Sequence, residues 1–226
     1  MHALDDRALP PPIRPGKIIC VGLNYVDHGA ETGLALPSAP LLFAKFGSSV
    51  IGHGASIVLP AGSDQVDYEA ELGVVIGQPA RDVPISAALD VVAGYTCVND
   101  VSARDFQFAD GQWLRGKSQD TFCPLGPVLV SADEVPDPQA LPIECRVNGE
   151  VRQQASTADM IFGVAELISY ISHGIALEPG DLIATGTPAG VGMSMEPPRY
   201  LAEGDVVEVA IAGVGLLRNH VVAAGA

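Results

Sequence analysis

The sequence predicts a predominantly β fold with a small helical share. Short apolar runs with period-two alternation recur along the chain, turn signals separate them, and only one long stretch keeps a helical period. With 226 residues and 48% of them hydrophobic, the chain can bury a sizeable core as one domain.

Residues 1–16, with Pro10-Pro11-Pro12 and Pro15, hold no regular element and read as a tail ahead of a domain spanning 17–226. Lys17 to Val21 is a short strand. Gly22 to Gly33 follows as a polar segment in which His28 and Glu31 stand three apart and share a face if one or two helical turns form. Its glycines suit a lid, while the spacing alone favours a surface loop with an incidental ion pair. Leu41 to Phe46 and Ile57 to Leu59 are strands, and Gly52-His53-Gly54 between them is a turn.

The stretch Asp67-Tyr68-Glu69-Ala70-Glu71-Leu72-Gly73-Val74-Val75-Ile76 reads as one strand with Leu72, Val74 and Ile76 on the core face. Asp67, Glu69 and Glu71 then share the other face, with Glu69 and Glu71 roughly 6.6 Å apart. Carboxylates so close repel unless water, a cation or a raised pKa relieves them, so a solvated face and a metal site both satisfy the pattern. After a helical turn at Pro84 to Leu89, the strand Val91 to Val98 runs into Asn99-Asp100, where a carboxylate at a buried strand end needs a partner.

Gly111 to Ser118 matches the phosphate-loop pattern G-x-x-x-x-G-K-[ST], yet no apolar strand precedes it and Pro124 stops a helix after it, so a nucleotide role is not expected. Gly126 to Val130 is a strand, and Asn148-Gly149 centres a hairpin within Ile143 to Arg152. Thr157 to His173 is the long helix, capped by Ser156 or Thr157 and ended by Gly174. Asp181 to Thr185 is a strand leading into a glycine-rich loop, and Val206 to Ile211 with Leu216 to Val222 forms the last hairpin.

A net charge of −15 argues against nucleic acid or an anionic membrane as partner and suits a cation. No apolar run reaches membrane-spanning length and no leader pattern stands at the N-terminus, which predicts a cytoplasmic protein. Cys20, Cys97, Cys123 and Cys145 are scattered and read as buried thiols.

Five stretches together resemble the fumarylacetoacetate hydrolase family, in its order and over nearly the whole chain. They are Gly22-Leu23-Asn24-Tyr25 with His28 and Glu31, Asp67 to Leu72, Asn99 to Asp105, Gly116-Lys117-Ser118, and Ala184-Thr185-Gly186-Thr187-Pro188. The short tail is similar to the compact, acylpyruvase-like branch. This resemblance implies a mixed β-roll, usually a homodimer, with a divalent cation held by Glu69, Glu71 and Asp100. Mg²⁺, Mn²⁺ or Ca²⁺ suits three hard oxygen ligands. It further implies a small 2-oxo acid substrate, a catalytic set of His28, Glu31 and Lys117, and substrate contacts from Arg104, Gln107 and Thr187.

The expected reaction is hydrolysis of a carbon–carbon bond in an acylpyruvate or related β-diketo acid. His28, oriented by Glu31, would activate water, and Lys117 would stabilise the oxyanion. Oxaloacetate decarboxylation and isomerisation of a 2-hydroxy-diene-dioate pass through the same enolate and stand as alternatives. A metal-binding protein without catalysis is a further one. Phe106, Phe108, Trp113 and Met193 are candidates for the pocket wall.

Overall fold

The computed structural model describes residues 7–33 and 35–225. Its elements are, in order, β1 (Ile18–Gly22), α1 (Val26–Thr32), β2 (Leu41–Lys45), β3 (Val50–Ile51), β4 (Ser56–Val58), β5 (Val66–Asp67), β6 (Ala70–Ile76), β7 (Val92–Asn99) and β8 (Ser102–Ala103). There follow α2 (Arg104–Ala109), α3 (Leu114–Lys117), β9 (Cys123–Ser131), β10 (Pro142–Val147), β11 (Glu150–Ser156), α4 (Val164–Ser172), β12 (Leu182–Ala184), β13 (Val206–Ile211) and β14 (Gly215–Val222). The fold is mostly β, as the alternation of apolar residues predicts.

A seven-stranded mixed sheet runs β2-β1-β12-β6-β7-β9-β3, and a five-stranded sheet runs β11-β10-β13-β14-β4. The main core lies between them and beneath α4, holding Leu72, Val74, Ile76, Cys97, Leu167, Ile168, Val207, Val209 and Leu217. A second cluster, with Cys20, Val75, Val98, Cys123, Leu125 and Leu182, covers the opposite face of the large sheet. Every residue of β6 is therefore buried, and a solvated acidic face is ruled out. All four cysteines are buried free thiols.

The expected single strand from Asp67 to Ile76 is broken. Val66 and Asp67 pair with β8, the chain leaves the sheet at Tyr68 and Glu69, and β6 begins at Ala70. The long helix is also shorter than its periodicity predicts. Thr157–Asp159 forms a single capped turn and α4 starts only at Val164, because the amides of Ile161 and Phe162 donate to Asn24 at 2.8 and 2.9 Å instead of to a helical turn. Tertiary hydrogen bonds outweigh local propensity there. The Asn148-Gly149 turn has positive φ at both residues, the geometry of a tight hairpin.

Residues 7–16 carry no regular element but are fastened down. Leu9 N donates to the His53 carbonyl at 2.8 Å, and a Cβ at Gly52 would lie 2.0 Å from the Leu9 carbonyl oxygen. Residues 1–6 lie outside the described set. Among the described residues, no helix is long and apolar enough to cross a membrane.

Candidate metal centre and active site

The ends of β6 and β7 bring three carboxylates together. Glu69 sits in the break before β6, Glu71 is its second residue, and Asp100 follows β7 directly. The break fixes the geometry: Glu69 N donates to the Asn99 side chain at 3.0 Å, and Asp100 N donates to the Glu69 carbonyl at 2.9 Å. One oxygen from each carboxylate lies within 4.8 Å of the others, and all three residues are buried. Asp67 does not join them. It accepts hydrogen bonds from Gly192 N at 2.7 Å and Met193 N at 3.1 Å, and so anchors the loop that faces the cluster.

Three buried cations answer these acids. Lys117 Nζ lies 2.7 Å from Glu69 and 2.8 Å from Asp100, and Lys45 Nζ lies 2.5 Å from the other Asp100 oxygen. Arg104 reaches Asp67 at 2.9 Å and Glu69 at 2.7 Å, and donates to Gln107 at 3.1 Å. Burial alone would raise the Glu69 carboxyl, but Lys117 and Arg104 overcome it and hold it at about 2. Glu71 goes the other way. Burial, then Asp100 and Glu69, push its carboxyl well above the ordinary range, and the Lys117 charge and the 2.9 Å bond from Gly186 N offset this only in part. Burial works against the charged forms of Lys117 and Arg104, and their acidic partners more than compensate, raising both.

This donor set fits a hard divalent cation. All ligands are oxygens, they converge, and Glu71 has no ion-pair partner among the described residues to relieve the charge it shares with its neighbours. Glu69, Glu71 and Asp100 would hold the ion.

Beside the cluster opens a cavity of about 400 Å³. His28 and Glu31 reach it from α1, their side chains 3.2 Å apart, and Glu31 is fixed by a 2.9 Å bond from Gly190 N. The loop before α1 is clamped by Asn24, whose amide donates to Phe162 at 3.0 Å and Thr185 at 2.7 Å. That clamp holds Leu23 on the cavity wall with φ of 52°, a conformation costly for a branched side chain. The segment read as a surface loop or a lid is thus a helix, fastened through Asn24 before it and Glu31 near its end.

Sequence reasoning placed Glu69, Glu71, Asp100, His28, Glu31, Arg104, Gln107, Lys117 and Thr187 in one site, and the structure gathers all nine at the cluster or around the cavity. Thr187 is nonetheless committed to scaffold: its hydroxyl donates to the Ala70 carbonyl at 2.9 Å and accepts from Gln153 at 2.8 Å. The phosphate-loop letters also have another use. α2, not a strand, precedes them, and a Cβ on Gly116 would lie 2.6 Å from Gln107 N. The glycine lets α3 touch α2, Lys117 then points at the acids, and Ser118 accepts a hydrogen bond from Phe46 N at 3.1 Å.

Lys45 was missed. Its signal is a lysine two residues after Phe43 on an apolar strand, where alternation puts both on one face, and both do face the site. Phe106, a pocket candidate, packs against the core instead, while Phe108, Trp113 and Met193 line the cavity.

A carboxylate triad at the adjoining ends of two antiparallel strands, beside a pocket lined by a histidine–glutamate pair, fits a small-molecule site of metal-binding type. Residues 17–222 match the model of the fumarylacetoacetate (FAA) hydrolase C-terminal family, and the chain belongs to that family. It is 48% identical to the oxaloacetate tautomerase Fahd2a, mitochondrial, of Rattus norvegicus, over 95% of this chain and 69% of that protein. The 2-hydroxyhepta-2,4-diene-1,7-dioate isomerase of Mycobacterium marinum superposes with a TM-score of 0.86 at 44% identity, covering 96% of this chain and 79% of that one. The fumarylacetoacetate hydrolase of Exiguobacterium antarcticum gives 0.90 at 47% identity, with 97% and 80% covered.

Proposed function

We propose that the protein is a divalent-metal-dependent enzyme that moves a proton at the carbon beside the keto group of a 2-oxo acid, interconverting keto and enol forms or shifting a double bond. The observation that carries this reading is the His28–Glu31 pair on the wall of the same cavity that the Glu69, Glu71 and Asp100 cluster adjoins. Relatives named as a tautomerase and an isomerase support it.

Glu31 accepts the Nδ1 proton of His28, which puts the basic lone pair on Nε2. His28 takes the proton from carbon and returns it, to carbon or to oxygen. A bound Mg²⁺ or Mn²⁺ supplies Lewis-acid polarisation of the substrate oxygens. Lys117 adds a fixed positive charge where negative charge develops on oxygen, and Arg104 with Gln107 holds the substrate head in place.

Hydrolysis of an acylpyruvate is the second reading, favoured by the same dyad because it can activate water as well as a C–H bond. The two separate in one experiment. Enol loss from phenylpyruvate and oxaloacetate, with the spontaneous rate subtracted, is followed beside pyruvate release from acetylpyruvate, each with Mg²⁺ and with chelator. Metal-dependent enol loss that falls at least about a hundredfold in His28→Gln is expected. Pyruvate release faster than any enol loss would make the protein a hydrolase, and full activity under chelator would overturn both readings.

A further inference from the structure

Between Glu69 and Glu71, the backbone of Ala70 is held by a closed ring of hydrogen bonds. β12 ends at Ala184, opposite Gly73, so the edge of β6 runs on past its neighbour and Ala70 has no strand beside it on that side. Its amide donates to Gln153 Oε1 at 2.9 Å, Gln153 Nε2 donates to Thr187 Oγ1 at 2.8 Å, and the Thr187 hydroxyl donates back to the Ala70 carbonyl at 2.9 Å. Gln153 Nε2 also donates to the Pro188 carbonyl at 2.8 Å. An N–H on one side and a carbonyl on the other leave this amide a single orientation. Ala70, Gln153 and Thr187 are all buried.

Gln153 comes from the other sheet, and a β-bulge aims it. Cys145 pairs with Gln153 and Arg146 with Val151, which leaves Arg152 as an extra residue in β11. Strict alternation would put Val151 and Gln153 on one face, but Val151 is exposed while Gln153 is buried. The loop that Gln153 grips also reaches Glu71, through Gly186 N at 2.9 Å. One side chain thus fixes the strand between the two glutamates and the loop that bonds to one of them.

We infer that Gln153 is a positioning residue for the metal centre, and that the ring it closes makes the site favour a small octahedral cation, Mg²⁺ or Mn²⁺, over Ca²⁺. This rests on the reading that Glu69, Glu71 and Asp100 hold a divalent ion. Glu69 and Glu71 leave the chain on either side of Ala70, so any turn of the backbone between them breaks the ring and strands buried amide and carbonyl groups. A frame that resists widening suits ions that demand a regular octahedral shell. Ca²⁺ takes larger, irregular shells and gains least from it.

Titration calorimetry with Mn²⁺ and with Ca²⁺, in the absence of substrate, reads this without turnover. Gln153→Met keeps the length and removes both hydrogen-bonding atoms. Its Mn²⁺ binding is expected to weaken about 10–100-fold and its Ca²⁺ binding less, so the preference for Mn²⁺ narrows. Thr187→Val opens the same ring and should do the same, whereas Thr187→Ser keeps the hydroxyl and should bind as the unaltered protein does. Joining Gln153→Met to Thr187→Val should weaken Mn²⁺ binding no further than the larger single loss. Circular dichroism identifies a variant that does not fold, and if Gln153→Met is one, the two Thr187 variants decide alone. Unchanged Mn²⁺ affinity in folded Gln153→Met or Thr187→Val, an equal loss for both ions, or losses that multiply in the double variant overturn the inference and leave the metal reading standing. Failure of the unaltered protein to bind either ion overturns both.

Discussion

Arg104 and Arg115 stand on neighbouring short helices, and each binds an aspartate. Arg104 and its partners Asp67 and Glu69 are buried, while Arg115 and Asp110 meet at the surface. The first pair belongs to a lattice of acids and cations in which each charge is costly alone, so removing one member strands the rest. The second is screened by water and contributes little. Geometry that looks alike thus has opposite consequences, and burial decides which.

The largest break in this contrast is expected from Asp100→Ala. It leaves Lys45 and Lys117 without a shared partner, and the loss should be about 3–5 kcal/mol in denaturant unfolding, together with loss of metal-dependent turnover. A change under about 1 kcal/mol would show that the buried lattice is as dispensable as the surface pair.

Adding Mn²⁺ sharpens the comparison, because only the buried lattice can respond. At a hundredfold excess over its dissociation constant, the ion should stabilise the fold by about 2.7 kcal/mol, and in Glu71→Gln the gain should shrink or vanish. The pH dependence follows in sign. A carboxyl raised by folding binds protons more tightly folded than unfolded, so the metal-free protein loses stability as pH rises from the ordinary carboxylate range through the raised Glu71 value. The ion competes with that proton, so the metal-induced rise in melting temperature should grow with pH over the same interval. Glu69, held at about 2, stabilises the fold above the ordinary carboxylate range, and that share is lost as pH falls toward 2.

A smaller effect tests how Lys117 is aimed. Gly116→Ala puts a methyl against the Gln107 backbone, and α3 must withdraw, at about 1–3 kcal/mol by thermal or denaturant melting. Turnover should fall by more than the stability loss accounts for, since the lysine moves with the helix. Arg115→Ala is the smallest: no resolvable change in melting temperature is expected, and any clear drop would mean that this pair belongs with the buried set.

Much of this site was legible because its side chains come in short local groups. Glu69-Ala70-Glu71, Asn99-Asp100 and the His28–Glu31 spacing carry their chemistry in adjacent letters, and the mostly β character followed from apolar alternation. What escaped was non-local. Lys45 meets Asp100 across 55 residues, and nothing beside Lys45 announces an acid. The strand break at Tyr68–Glu69 and the late start of α4 depend on partners far along the chain, Asn24 among them. Periodicity describes what a segment prefers alone, and long-range hydrogen bonds overruled it at both places.

The order β2-β1-β12-β6 has a consequence for biosynthesis. The N-terminal hairpin that carries Phe43 and Lys45 does not pair with the strand that carries Glu71; β12, Leu182–Ala184, lies between them and bonds to both. Asn24 likewise waits for Phe162 and Thr185. A nascent chain emerging from the ribosome holds the acids on one piece and the lysine and histidine on another. Lys45 meets Asp100 directly, but the strand that joins the two pieces into one sheet arrives only with the last fifth of the polypeptide, so a chain that stops short of β12 carries Glu69, Glu71 and Asp100 without the sheet that sets the N-terminal hairpin beside them.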